Sequence, residues 1–220
     1  MKLLGLAMLL FMSFTVSSLA QSEARKLEEK TVDLAVTDLQ IEAKNINLLL
    51  SKIAYQYGVP ISLEVATDDD LLNSKQLTVQ VQKGTLANVL DSIVKQKPSY
   101  TWEVSETTIR VFPKSEFRDP LLQTLLEMRI SHFVVPKRTA KFTFRQALTN
   151  RPEVKNLLAS YGVRSSNELF SPYDLESLGK NFSLDLENAP VRSILDQVIK
   201  NSEARYWFVR RSGEYFLIDL

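Results

Sequence analysis

The second half of this 220-residue chain repeats the first. Leu90, Asp91, Lys95, Trp102 and Val104 recur as Leu195, Asp196, Lys200, Trp207 and Val209, each 105 residues further on. The two tryptophans of the chain therefore occupy equivalent places. A second match is independent of the first: Tyr57-Gly58-Val59 returns as Tyr161-Gly162-Val163, 104 residues on. A period this long describes a duplicated small domain, because solenoid units run only about 20–50 residues. What recurs is a pattern for building a core.

Residues 1–20 read as an export signal: Lys2 gives a positive start, Leu3 to Val16 an apolar stretch, and Ser18-Leu19-Ala20 a small-x-small cleavage site before Gln21. The apolar run is shorter than the roughly 20 residues that span a bilayer. A mature chain outside the cytoplasm is expected, with no integral membrane segment after cleavage near Ala20. Removing these residues takes away one Lys and leaves basic and acidic side chains in balance. A neutral surface without a basic cluster argues against nucleic acid as partner, since phosphates need a concentrated positive patch. The absence of cysteine removes thiol catalysis, thiolate metal sites and disulfides together.

Charged residues 21–31 lack apolar periodicity and read as a disordered lead-in. The first unit, residues 32–113, opens with a broken strand alternation at Leu34, Val36, Leu39 and Ile41. A helix is predicted from Asn45 to Tyr57, with Ile46, Leu49, Leu50, Ile53, Ala54 and Tyr57 on one face and Gly58 at its end. Val59 to Val65 reads as a strand, Asp68-Asp69-Asp70 as a solvated loop, and Leu77, Val79 and Val81 as an alternating strand. Thr85 caps a second helix whose core face is Leu86, Val89, Leu90, Ile93 and Val94. Tyr100 to Val104 and Thr108 to Phe112 form a hairpin. The order β-α-β-β-α-β-β predicts an α+β domain with two helices packed on small sheets.

Residues 114–129 read as a linker, with Leu121 to Met128 as a joining helix, and residues 130–220 as the second, divergent unit. Ile130 to Val135 supplies its opening strand, and Asn156 to Val163 echoes the first helix. Phe182, Leu184 and Leu186 give the alternating strand, and Pro190 opens the second helix, whose core face is Val191, Ile194, Leu195, Val198 and Ile199. Tyr206 to Arg210 and Tyr215 to Leu220 make the hairpin around Ser212-Gly213. The match is poorest over Arg164 to Lys180, where Ser165 with Glu168 suggests a short helix in place of a strand.

The stretch Thr85-Leu86-Ala87-Asn88-Val89-Leu90-Asp91-Ser92-Ile93, entered from an alternating strand and followed by aromatic hairpin strands, resembles the short N-terminal domain of secretins and TonB-dependent receptors. The likeness covers residues 33–113 and 180–220 well and 130–180 less well. It implies a tandem pair of such domains, secretin N0-like in type, that sit in the periplasm and act by docking protein partners. It covers the module alone, so nothing of a barrel's or pore's function is carried over.

Little in the sequence points to chemistry. His132 is the only histidine and reads as structural or surface. Asp68-Asp69-Asp70 with Glu64 lacks the glycine and terminal Glu of a calcium loop. Asp91 and Asp196 fall on the polar sides of their helices, as surface or capping groups rather than a paired acid and base. Trp102 and Trp207 read as core anchors. No phosphate cradle, nucleophile elbow or zinc motif occurs. Arg205, Tyr206, Trp207, Phe208, Arg210 and Arg211 form a basic-aromatic strand, the candidate interaction surface, since arginine and aromatics are enriched at interface cores. The expectation is a non-enzymatic interaction module without catalytic, cofactor or metal residues, an adaptor of an envelope secretion, pilus or TonB-receptor system whose partners are envelope proteins. The alternative is a periplasmic binding protein for a glycan, peptidoglycan fragment or lipid held in a cleft between the units.

Overall fold

A computed structural model describes residues 31–66, 76–106, 108–165 and 176–220 of the chain. The export signal, the acidic loop at Asp68 to Asp70 and Glu168 lie outside these residues. The class is mixed α+β. In the first unit, β1 (Ala35–Ala43) leads to α1 (Ile46–Tyr57), β2 (Ile61–Glu64), β3 (Leu77–Thr85), α2 (Leu86–Gln96), β4 (Tyr100–Ser105) and β5 (Thr108–Pro113). The opening strand starts three residues later than Val32, because Thr31 and Val32 are helical. Local chemistry fixes the helix ends. Asn45 Oδ1 accepts from Leu48 N–H at 2.9 Å at the start of α1, and Gly58 ends that helix in the left-handed region at φ 64°. Thr85 and Asn88 close a reciprocal capping box on α2.

Asp119, with Pro120 in the first turn, caps the joining helix α3 (Pro120–Glu127). The second unit follows as β6 (Arg129–Val135), α4 (Lys141–Thr149), α5 (Pro152–Ser160), β7 (Arg164–Ser165), β8 (Leu184–Pro190), α6 (Val191–Asn201), β9 (Tyr206–Ser212) and β10 (Tyr215–Asp219). Two features differ from the sequence reading. An extra helix, α4, precedes the echo of the first helix; its Phe144 meets Phe133 edge-on at 5.7 Å between ring centroids. A short strand stands where the sequence offered none, Arg164 and Ser165 pairing in parallel with Tyr215 and Phe216, while the helix expected after Ser165 lies outside the described residues.

Equivalent positions in the two units make the same bonds. Val59 N–H reaches Ala54 C=O at 3.1 Å, and Val163 N–H reaches Leu158 C=O at 2.9 Å. Leu86 N–H donates to Leu34 C=O and Val191 N–H to Met128 C=O, both at 2.9 Å. β2 runs parallel to β5 as β7 runs parallel to β10.

The units do not keep separate main sheets. β2 also pairs in parallel with β9, which fuses them into one six-stranded sheet of order β4-β5-β2-β9-β10-β7. Two-stranded ribbons, β1-β3 and β6-β8, flank it. The left-to-right order of strand types is the same in each half, but β9 runs opposite to its equivalent β4. The second unit is therefore turned over about an axis across the strands, and its helices lie on the other face. β9 records this residue by residue: Tyr206 and Phe208 join the core of the first unit, while Trp207 and Val209 join that of the second.

The two helix-ending glycines give a direct test of equivalence. A Cβ at Gly58 or Gly162 would meet nothing within 4 Å, so replacement costs only the left-handed backbone. Gly58→Ala and Gly162→Ala should each lose about 1–2 kcal/mol in urea unfolding, by similar amounts.

Candidate functional site

Fusing the sheet buries polar side chains that an isolated first unit would show to water. Ser62 and Glu64 alternate with the core residues Ile61 and Leu63 on β2, yet each is only 2% exposed. α6 explains it. Its apolar stripe faces the second core, and its flank at Arg192 and Asp196, four residues apart on one side, lies against the first unit. Glu64 accepts from both Nε and Nη2 of Arg118, at 3.2 and 2.9 Å, and from Arg192. The Arg118 guanidinium also lies over the Phe112 ring, 4.8 Å from its centroid.

Asp196 is the second anchor. It accepts from Trp207 Nε1 at 2.9 Å through Oδ1, and from Nη2 and Nε of Arg110 at 2.6 and 3.2 Å through Oδ2. The same tryptophan bond occurs in the first unit, where Trp102 Nε1 donates to Asp91 Oδ1 at 2.9 Å. Asp91 is exposed, whereas Asp196 is buried because the neighbouring unit brings Arg110 onto it. Burial raises the Asp196 pKa above the ordinary carboxylate value, opposed by the Arg110 charge and hydrogen bonds and by Trp207. A recess of about 40 Å³ opens above this pair, lined by Ser105, Thr108 and Ser193 among others, with Lys200 and Glu106 bridging its rim at 3.4 Å. Across the opposite face, Tyr206 Oη donates to Asn47 Oδ1 at 2.7 Å, and burial pushes its phenol well above its usual value.

The basic-aromatic strand of the sequence reading is thus central, not superficial. Tyr206, Trp207 and Phe208 are buried on the two faces of β9, because that strand is paired on both sides. Arg205 is also occupied, donating to the carbonyls of Ile199, Ser202 and Ala204 at the end of α6. Arg211 donates to Gly213 C=O at 3.2 Å and sits 3.6 Å from Asp119, and Arg210 lies opposite Leu217 on β10. Tyr206, Trp207 and Phe208 thus belong to the joint between the units, while Arg205, Arg210 and Arg211 stay partly exposed. Arg110, Arg118, Arg192 and Glu64 were not singled out as a group by the sequence. The spacing of Arg192 and Asp196 was the one available signal.

Elsewhere, His132 Nε2 lies 2.8 Å from Asp185 Oδ1 across the exposed β6-β8 ribbon. Among the described residues no three His, Asp or Glu side chains cluster to hold a metal ion. No described helix is long and apolar enough to cross a membrane. Between the units, on another side, a cleft of about 430 Å³ is lined by Tyr55 of α1 and by Lys141, Glu176, Gly179, Lys180 and Glu203. No family model matches the chain, and no curated protein matches it in sequence.

Two consequences can be measured. Arg110→Ala leaves a buried carboxylate without its cation and should cost about 3 kcal/mol or more, while Arg110→Ala with Asp196→Asn should recover part of that loss. The pH dependence of Asp196 has a definite sign. Its folded pKa is raised, so its contribution is fully present below the unfolded value and is lost as pH rises through the folded one. Asp196→Asn should therefore gain on the wild type as pH rises from acid to neutral, read by urea unfolding along a pH series.

Proposed function

We propose that this chain is a non-enzymatic, periplasmic protein–protein interaction module built from two units of the secretin and TonB-receptor short N-terminal type, serving an envelope secretion, pilus or TonB-receptor system. The observation that carries the reading is the outer edge of β4, the last strand on one side of the six-stranded sheet, which among the described residues has no strand beside it. Lys114 N–H donates to Ser99 C=O at 2.8 Å, and Pro113, which has no N–H, stands opposite Tyr100. The alternation that follows turns Thr101 and Glu103 toward β5 and leaves the backbone groups of Trp102 and Val104 pointing out of the sheet. Such an edge takes an added strand through main-chain hydrogen bonds.

The polar groups that could have suggested chemistry support the same reading, since they tie the scaffold together: each tryptophan holds an aspartate, and Glu64 is held by two arginines. A second reading, a glycan or peptidoglycan fragment in the cleft between the units, is favoured by Tyr55, a residue 49% exposed that lines the cleft and offers an aromatic ring for stacking. Neither tryptophan lines that cleft.

Immobilised chain should retain a stoichiometric envelope protein from extract of its own organism. Val104→Pro removes one outward N–H without touching the β4-β5 ladder and should lose that protein while keeping the fold. Retention of nothing stoichiometric, with saturable binding of a muropeptide abolished by Tyr55→Ala, would move the assignment to the cleft.

A further inference from the structure

The second helix of each unit carries a charged flank that is covered in one repeat and bare in the other. On α6 the flank is Arg192, Asp196 and Lys200, one residue on each successive turn. Each of the three meets a charge of the first unit: Arg192 bonds Glu64, Asp196 bonds Arg110, and Lys200 lies 3.4 Å from Glu106. The equivalents on α2, 105 residues earlier, are Ala87, Asp91 and Lys95. Asp91 and Lys95 keep the charges of Asp196 and Lys200, yet both are exposed. Among the described residues Asp91 has the Trp102 indole as its hydrogen-bond partner, and neither Asp91 nor Lys95 has an ion pair.

The acceptor is built alike in both repeats. Trp102 Nε1 donates to Asp91 Oδ1 at 2.9 Å, as Trp207 Nε1 donates to Asp196 Oδ1 at 2.9 Å. In the second unit the tryptophan thereby fixes one carboxylate oxygen and leaves Oδ2 to Arg110. Two N–H groups of that guanidinium, on Nη2 and Nε, converge on Oδ2 at 2.6 and 3.2 Å. A lysine ammonium, a single point donor, does not reproduce that arrangement. In the first unit Asp91 is held by its tryptophan in the same way, and among the described residues nothing donates to its Oδ2. Helix α2 stands to β4 as α6 stands to β9. Its flank therefore lies beside the outer edge of β4, at the place that β2 and β5 take beside β9.

We propose that the flank of α2 docks a different protein, which sets an arginine on Asp91 against Trp102 and a carboxylate on Lys95. This rests on the interaction-module reading and names the chemistry that its partner brings. In the internal joint both charges come from one hairpin: Glu106 at its turn and Arg110 further along on β5. The partner segment carries the same pair at the same spacing. A second copy of this chain does not supply it. The place of Arg110 on β10 is taken by Leu217, and the place of Glu106 by Arg211, which repels Lys95. Ala87, in the place of Arg192, calls for no counterpart of Glu64. The ion pairs gain strength as docking removes water from them, as the first unit does for Asp196, which is only 8% exposed.

The test uses the immobilised chain and the envelope protein that it retains. Asp91→Asn removes the charge but keeps an oxygen for the Trp102 indole, so circular dichroism should be unchanged. The affinity for the retained protein should fall at least about tenfold. Lys95→Glu should lower it about threefold or more. The retained protein is then purified and treated either with phenylglyoxal, which blocks guanidinium groups, or with an acetylating reagent for lysines, its own circular dichroism being unchanged. Phenylglyoxal should abolish binding, and acetylation should leave it intact. Wild-type affinity in Asp91→Asn or Lys95→Glu overturns the proposal. So does binding that survives phenylglyoxal, or a retained protein that proves to be this chain itself. If Val104→Pro loses the protein while Asp91→Asn keeps it, the arginine site fails and the interaction-module reading stands. If no protein is retained in stoichiometric amount, both fail.

Discussion

The parallel pairing of β2 with β9 is the constraint on which the rest of the structure depends. It makes one sheet from two repeats, and the strand directions then require the second repeat to be turned over. The helices of the two units consequently lie on opposite faces, and β9 must be apolar on both. Tyr206 and Phe208 on one side and Trp207 and Val209 on the other satisfy that requirement. A strand buried on both faces reads as a continuous apolar run rather than an alternation, which is how Tyr206 to Val209 reads.

The same pairing explains the ionic cluster. An isolated first unit would keep Ser62, Glu64 and Arg110 on a wet face of its sheet. The fused sheet places α6 over that face, and the charges must find partners there because unpaired burial is expensive. Glu64 finds Arg118 and Arg192, and Arg110 finds Asp196. A buried pair of this kind adds little to stability over apolar packing, but it penalises any arrangement that separates the partners. Its effect is to fix how the two units meet.

Most elements were legible in the chain because their apolar periods are local. The helix faces at Ile46 to Ala54 and Val191 to Ile199 are buried as their spacing predicts, and both glycine turns have the backbone expected of them. The extra helix α4 was not, since Lys141 to Thr149 carries few apolar residues and its Arg145 is spent on Asp219 at the end of β10. The joint was not legible either. Nothing in a period of two says whether the polar face of a strand meets water or another unit. Trp207 and Asp196 were visible as equivalents of Trp102 and Asp91, but Arg110, some 86 residues away from Asp196, gave no sign that it completes the group.

The differences between the repeats are concentrated where one unit meets the other. α2 and α6 share their core faces and their aspartate, yet the position that is Arg192 in α6 is Ala87 in α2. Asp91 carries only its tryptophan, while Asp196 carries a tryptophan and an arginine. The scaffold is therefore common to both units, and the ionic clamp belongs to the joint. At the place of Arg110 on β5 the strand β10 carries Leu217, so the guanidinium that grips Asp196 belongs to the joint alone.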